Sequence, residues 1–324
     1  MPQTQSPGNT TEAMRRELQL RSWAQDHWLE VVMGMGFIAV LLWFGLVVRG
    51  FLPKPVIRSE FDGEKAYSHV LAQLELGPRP TGSEANRRAG DYIIQVLQEH
   101  GWKTEVQEFV YMNTQARNII GKMGSGPVLI LGTHYDTRRQ ADNDPILALR
   151  QQPVPGANDG GSGTGVLLEI ARVLAKSSLT NEVWLVFFDA EDNGGLEGWD
   201  YAAGSRFMAE NLTIMPQSVV IIDMIGDTDQ QIYKEHNSTR ALQDQIWAIA
   251  ADLGYEDYFR PEFKWSILDD HTAFLLRDIP AVDIIDFDYI YWHTTQDTAD
   301  KIAPESLERV GRVLQALVER SSRR

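Results

Sequence analysis

The chain contains no cysteine among its 324 residues. Disulfide bonds and thiolate metal sites are therefore excluded, and any metal ion must be held by His, Asp or Glu. Positive charge is also scarce, because 30 Lys and Arg face 45 Asp and Glu and leave a formal charge of −15. No basic stripe is present to neutralise phosphates, so we expect no nucleic-acid partner. At 43% hydrophobic residues, a chain of this length can bury a full core.

Charged residues are absent from the segment between Val31 and Val48, and Phe51 and Leu52 extend its apolar character. A helix over this segment is about 27 Å long, enough to cross a hydrocarbon core. A cleaved signal peptide fits less well, because a polar stretch precedes the segment and no A-x-A site follows it. A core helix fits less well still, because the segment is apolar on every face. The pattern predicts a single-pass membrane anchor.

Four regions follow from this assignment. We predict a polar tail over residues 1–30, a transmembrane anchor over residues 31–52, a linker over residues 53–62 and a catalytic domain over residues 63–324. Basic residues flank the anchor almost equally, so the positive-inside rule barely discriminates between the two orientations. A short tail beside a large domain favours the tail inside and the domain outside the cytoplasm. We therefore expect a single-pass membrane protein with an extracytoplasmic catalytic domain.

Short continuous apolar runs alternate with helical patterns through the rest of the chain. Such runs are typical of strands that are covered on both faces, and their alternation with helices predicts an α/β sandwich with a largely parallel sheet. The segment Arg138–Pro155 is polar and irregular, which predicts a long loop at a functional rim. The predicted strands are residues 127–131, 183–188, 219–222 and 281–285, and the predicted helices are residues 67–76, 87–100, 165–176 and 306–319.

Acidic residues and histidines follow the predicted strands at the points where those strands end. His134 and Asp223 end two of the strands, and the pair Glu191-Asp192 comes soon after a third. Ligands bind beyond the carboxyl ends of the strands in such sheets, so these side chains are expected to converge. His and carboxylate ligands with one acid left over to move protons are what a hydrolytic zinc centre needs. Three further candidates are Asp159 in a Gly-rich turn, His293 among aromatic residues, and Asp136, placed to orient the imidazole of His134.

The motifs GTHYD, ANDGGSG, IIDMIGD, DDHTAF and WHTTQDT, in this order and with the acidic pair between them, resemble the M28 zinc peptidase superfamily over residues 65–320. This resemblance implies a three-layer αβα sandwich with a mixed, mostly parallel central sheet. It implies zinc ligands at Asp159, Asp192 and His293, with His134 and Asp223 completing a second metal position in aminopeptidases. Glu191 would then be the catalytic acid and base. One departure is that the acidic pair is usually Glu-Glu, so Asp192 has a shorter arm.

Within that superfamily, the chain resembles the animal-type glutaminyl-peptide cyclotransferases more closely. Asp269 begins Asp-Asp-His where aminopeptidases commonly have Ser-Asp-His, and the resemblance implies a catalytic hydrogen-bond network for it together with Asp223. Trp292 precedes the metal histidine as it does in the cyclases. Trp199 precedes Gly-Ser-Arg and resembles a cyclase tryptophan near the substrate. The resemblance implies that Trp199 and Trp292 bind substrate.

Three functions are compatible with these residues. A cyclase would use one Zn²⁺ to convert the N-terminal Gln of peptides to pyroglutamate with release of ammonia. An M28 aminopeptidase would use two Zn²⁺ to hydrolyse the first peptide bond, and ligand counting does not separate the two because both keep the same residues. A non-catalytic ectodomain is the third, but such a domain is expected to have lost ligands or the base, and none is lost here. We predict a zinc-dependent cyclase that binds peptides through their N-terminus and the membrane through its N-terminal helix.

Overall fold

The computed structural model describes residues 14, 17, 26–30, 32–41, 43–44 and 59–321. The chain divides into two units, residues 1–56 and 57–324. In the first unit, the described residues are helical. Much of the predicted tail, anchor and linker lies outside the described residues, so the anchor over residues 31–52 is covered in part. None of the helices that the described residues form is both long and apolar enough to cross a membrane.

The second unit alternates strands and helices around one central sheet. The strands are β1 (Lys103–Tyr111), β2 (Thr114–Gly124), β3 (Val128–His134), β4 (Glu182–Phe188), β5 (Ser218–Asp223), β6 (Ile232–Glu235), β7 (Phe259–Trp265) and β8 (Ala281–Ile285). Six of them form the central sheet in the order β1-β2-β4-β3-β5-β8, and β6 and β7 form a separate parallel pair. The helices are α1 (Gly63–Leu74), α2 (Glu84–Glu99), α3 (Gly161–Leu174), α4 (Ala203–Glu210), α5 (Arg240–Asp252), α6 (Asp270–Leu275) and α7 (Pro304–Ser321).

The central sheet is mixed, with its parallel part in the middle. Strand β3 pairs in parallel with β4 and β5, and β5 pairs in parallel with β8. Strands β1 and β2 form an antiparallel hairpin, and β2 joins β4 in antiparallel orientation. The predicted α/β architecture with a mixed, mostly parallel sheet is confirmed. The β1–β2 hairpin is absent from the sequence-based prediction, because its edge position leaves β1 half exposed and without a continuous apolar run.

Both faces of the sheet are covered, as the apolar runs require. Side chains alternate between faces along a strand, so Leu129 and Leu131 of β3 join one hydrophobic core while Val128 and Ile130 join the other. Helices α1, α2, α3, α5 and α7 contribute to the first core, and α4 and α6 contribute to the second. This arrangement gives the three layers of an αβα sandwich.

The start of α3 is pressed against the end of the sheet because two glycines allow a close approach. Gly160 has a φ of +75°, a backbone conformation that favours glycine, and it redirects the chain into the helix. A Cβ atom on Gly163 would lie 2.1 Å from Thr133 Oγ1 and 2.7 Å from the backbone oxygen of Ile222. The glycine-rich turn therefore fixes Asp159 directly over the ends of β3 and β5.

Candidate metal centre

Two groups of buried ligand atoms meet at the carboxyl ends of the parallel strands, and they share Asp159. In the first group, His293 Nε2 lies 2.9 Å from Asp192 Oδ1 and 3.8 Å from Asp159 Oδ2. In the second, His134 Nε2 lies 3.0 Å from Asp223 Oδ1 and 3.1 Å from Asp159 Oδ1. Asp159 therefore directs one carboxylate oxygen to each histidine. The five predicted ligand residues are brought together as two adjoining sets of three.

The first group has the donor atoms that a zinc ion requires. With zinc–ligand bonds of about 2.0–2.2 Å, the ligand atoms of a tetrahedral site lie about 3.3–3.6 Å apart. The two distances from His293 Nε2 bracket that range, so the shorter side chain of Asp192 still reaches the histidine. Asp159 Oδ2, Asp192 Oδ2 and His293 Nε2 are buried and have no hydrogen-bond partner. Buried polar atoms without partners are costly, and a cation bound among them would remove that cost.

The electrostatics of the first group also suit a cation. Burial lowers the pKa of His293 to about 3, so its imidazole is neutral and can offer a nitrogen lone pair. Burial, together with the charge of Asp159, raises the pKa of Asp192 well above its usual range. Without a cation, the carboxyl of Asp192 is therefore shifted towards its protonated form. A bound metal ion would reverse that preference.

Glu191 lies beside the ligands but belongs to neither group. Burial raises the pKa of Glu191 well above its usual range; the charge of His134 opposes this shift, and neighbouring acids add to it. Burial also raises the pKa of Asp223 to about 6. A buried acid whose pKa is shifted towards neutrality is suited to accept and return a proton.

A cavity of about 190 Å³ opens over the first group and is lined by Glu191, Asp223 and Asp269 on its polar side. Trp292 also lines the cavity, and its ring centroid lies 3.8 Å from that of His293. The remaining wall is mainly apolar. The cavity thus places three acids, two of them with raised pKa values, beside an apolar surface.

Trp199 does not line this cavity. It packs instead with Phe109 and Ala116 and lines a neighbouring cavity. Tyr201, two residues further along the chain, lines both cavities. The difference arises because Trp199 closes a turn with Gly195, whose N–H donates to the Trp199 carbonyl at 2.9 Å, and this turn directs the indole towards β1 and β2.

Asp136 contacts the backbone of the acidic pair Glu191-Asp192. Its carboxylate accepts hydrogen bonds from the backbone N–H groups of Glu191 at 3.1 Å and Asp192 at 3.3 Å. Its distance to His134 Nδ1 is 3.6 Å, and that nitrogen makes no hydrogen bond. The orientation of the imidazole by Asp136 therefore stays a prediction. The contact that the structure shows for Asp136 is with the backbone of Glu191 and Asp192.

Three residues at the site have a strained backbone conformation. Ala190, Met224 and His293 have φ values between 45° and 60°, in the left-handed region that residues with a side chain seldom adopt. Ala190 precedes Glu191, and Met224 follows Asp223. Such strain persists where the surrounding structure enforces it, and it is common at active sites.

Comparisons with known proteins agree with this geometry. Residues 118–318 match peptidase family M28. The chain belongs to this family. The chain is 33% identical to a glutaminyl cyclase of Tannerella forsythia, with a TM-score of 0.75 over 80% of this chain and 98% of that structure. It is 30% identical to a leucine aminopeptidase precursor of Bacteroides thetaiotaomicron, with a TM-score of 0.76 over 80% and 97% of the two chains.

A curated relative points the same way. A glutaminyl-peptide cyclotransferase of Drosophila melanogaster is 26% identical over 267 residues, which cover 69% of this chain and 72% of that protein. The sequence-based identification of an M28 enzyme similar to the glutaminyl cyclases is confirmed. Zinc dependence follows from the family and the ligand groups, whereas the number of zinc ions is a separate question.

Several residues that support this M28 site were missed from the sequence. Arg138 donates from Nη1 to the backbone oxygen of Asp192 at 2.7 Å. It also donates from Nε and Nη2 to the two carboxylate oxygens of Asp142, at 2.7 and 2.8 Å. Asp142 Oδ1 lies 3.7 Å from His293 Nδ1, on the side of the ring away from the ligands. The N–H of Asn143 donates to the His293 carbonyl at 3.2 Å. The predicted polar loop 138–155 therefore supports two of the ligand residues.

The glycine-rich turn has a similar support. Asp297 accepts hydrogen bonds from the backbone N–H of Asn158 at 2.8 Å and of Asp159 at 3.1 Å. The buried Arg79 donates from Nη2 to the carbonyl of Gly156 at 2.8 Å. The position of Asp297, four residues after His293, was a signal that could have revealed it.

We expect Asp142→Asn to weaken zinc binding about 10- to 100-fold, because a partner behind a metal-binding histidine orients its ring. The side chain of Asp142 is partly exposed, so the fold should tolerate the change. The measurement is zinc affinity by competition with a chelator. A matched control is Asp252→Asn, which breaks the exposed ion pair with Arg320 instead. Equal zinc affinity in the two variants would show that Asp142 does not orient the ring of His293.

Proposed function

We propose that the chain is a zinc-dependent glutaminyl-peptide cyclotransferase, which converts the N-terminal Gln of peptides to pyroglutamate and releases ammonia. The observation that carries this proposal is the difference between the two ligand groups. In the first, Asp159 Oδ2, Asp192 Oδ2 and His293 Nε2 make no hydrogen bond, although His293 Nε2 lies 2.9 Å from Asp192 Oδ1. In the second, the ligand atoms satisfy one another, because His134 Nε2 bonds Asp223 Oδ1. This difference favours one zinc at Asp159, Asp192 and His293, the number that the cyclase reaction uses.

A zinc ion held by Asp159, Asp192 and His293 would supply the Lewis acidity that polarises the γ-amide carbonyl of the substrate. Glu191 takes a proton from the peptide's own α-amine as its nitrogen forms the new bond to Cδ, the carbonyl carbon of the γ-amide. Glu191 then delivers the proton to the amide nitrogen, which leaves as ammonia when the old bond breaks. Asp223 and Asp269 line the cavity beside Glu191 and help to place the α-amine.

The apolar wall of the cavity keeps water away from the reacting carbon. Water is the competing nucleophile, and hydrolysis of the amide would give Glu instead of pyroglutamate. Trp292 contributes a flat apolar surface next to His293 on which the methylenes of the Gln side chain pack. Met224 and Ile267 extend that wall.

A two-zinc aminopeptidase is the second candidate function. Two observations favour it: the second ligand group has the correct residues in proximity, and the chain resembles a leucine aminopeptidase precursor as well as it resembles a cyclase. In that case Glu191 would serve as the base for the attack of water on the first peptide bond.

The test compares the two reactions on the full-length chain. We expect ammonia release from a Gln-peptide, little release of amino acid from Leu- and Ala-arylamides, and about one zinc per chain. Glutamate carries no γ-amide, so the matched Glu-peptide should be inert under the same conditions. Release of free amino acid with about two zinc ions per chain would overturn the cyclase proposal and support the aminopeptidase.

We also propose that residues 31–52 anchor the protein in a membrane with the catalytic domain outside the cytoplasm. The support is the absence of charge between Val31 and Val48 and the length of that segment. The full-length chain should remain in the membrane fraction after alkaline carbonate extraction, and protease added outside intact cells should digest the catalytic domain. Release by carbonate would exclude the anchor.

A further inference from the structure

A second cavity of about 380 Å³ adjoins the metal cavity, compared with about 190 Å³ for the latter. Two segments form it: the turn that leads from Trp199 into α4, and the residues around α6. The two cavities share Tyr201, Leu268 and Asp269. Any substrate held at the zinc ligands therefore has this second cavity directly beside it.

The wall of the second cavity is mainly apolar, and two exposed leucines stand in it. Leu268 is 63% exposed and Leu276 is 78% exposed. Exposed apolar side chains grouped at a concave surface mark a binding site more often than scattered ones do. Their exposure in the free protein means that a nonpolar ligand group would remove their apolar surface from water.

The other side of the cavity is rigid and carries little net charge. Trp199 is fixed by an edge-to-face contact with Tyr111, at 5.3 Å between ring centroids, and by the guanidinium of Arg139 at 4.4 Å from its ring. Arg206 at the rim pairs with Asp200 at 3.2 Å. The charge of the arginine is thereby balanced, and the other charged group in the wall is the carboxyl of Asp269, which is shared with the metal cavity and would repel an acidic side chain.

We propose that this second cavity binds a large nonpolar side chain of the residue that directly follows the N-terminal Gln, so that the enzyme selects peptides beginning Gln-Leu or Gln-Phe. This inference rests on the proposed function. With Gln at the zinc ligands, the peptide chain must leave past the shared residues. One residue of extended chain spans about 3.3 Å, so the second side chain is the first one that reaches the adjoining cavity.

The test measures kcat/KM for full-length protein on a matched series, Gln-Gly, Gln-Leu, Gln-Phe and Gln-Glu tripeptide amides with the same third residue. We expect Gln-Leu and Gln-Phe to exceed Gln-Gly about 10-fold, mainly through KM, because the second cavity buries one more nonpolar side chain. Gln-Glu should not exceed Gln-Gly.

Leu276→Asp supplies the matched variant. Leu276 is exposed and lines only the second of the two cavities, so turnover of Gln-Gly should be unchanged while the preference for Gln-Leu is lost. Leu147→Asp is the control, since Leu147 is 74% exposed and lines neither cavity. Thermal unfolding of each variant checks the fold.

The outcomes separate this inference from the function on which it rests. Equal kcat/KM values across the Gln series in the native protein would overturn the inference and leave the cyclase function intact. A Leu276→Asp variant that keeps the full preference would do the same. Failure to cyclise any Gln-peptide would overturn both.

Discussion

Replacing Glu191 with Gln should lower cyclisation about 10²- to 10⁴-fold, the range that a positioned general acid and base contributes. The substitution keeps the volume of the side chain and its place in the cavity, but the amide cannot take a proton from the attacking amine. Burial raises the pKa of Glu191 well above its usual range, so the carboxyl is suited to hold a proton between the two halves of the reaction. The measurement is kcat for ammonia release.

The same variant should keep its zinc, which separates a proton-transfer role from a ligand role. Glu191 belongs to neither ligand group, whereas its neighbour Asp192 does. Glu197→Gln is the matched control, because Glu197 lies on the same turn but is exposed and pairs loosely with Arg139 at 3.5 Å. Retained turnover in Glu191→Gln, or loss of its zinc, would contradict the assigned role.

The site was predictable from sequence to the extent that strand ends are predictable. Parallel strands buried on both faces have continuous apolar runs, and each predicted run lies within one residue of an observed strand at its start. The polar residues that follow those runs must then meet at one edge of the sheet. His134 and Asp223 illustrate this, since they end β3 and β5 and lie 3.0 Å apart at their ligand atoms.

The supporting residues could not be found in the same way. Arg138 and Asp142 lie in an irregular loop with no periodic pattern. Arg138 contacts Asp192, which is more than fifty residues further along the chain, and Asp142 contacts His293, which is further away still. For Trp199, the motif did not show which of the two cavities the side chain lines, and its role in substrate binding stays a prediction. Its sequence context resembles that of a substrate-binding tryptophan, yet its local turn directs the ring into a different cavity.

Removing the imidazole of His293 should abolish zinc binding and activity, whereas removing that of His134 should leave the zinc in place. His293→Ala leaves Asp159 and Asp192 as the remaining ligands of the first group, and two carboxylates do not complete a structural or catalytic zinc site. We expect bound zinc to fall from about one per chain to near none, with activity at background. The measurements are metal content after dialysis and ammonia release.

His134→Ala is the matched partner of that variant, because both histidines are buried at the same strand ends and share Asp159. The physical basis for different outcomes is the hydrogen bonding. His134 Nε2 makes a hydrogen bond with Asp223 Oδ1 at 3.0 Å, whereas His293 Nε2 makes none, although it lies 2.9 Å from Asp192 Oδ1. Without His134, Asp223 loses that bond, and we expect slower turnover with about one zinc still bound. Two zinc ions in the native protein, with one lost in His134→Ala, would instead identify a two-metal hydrolase, because the second ligand group would then hold a metal ion that cyclisation does not use.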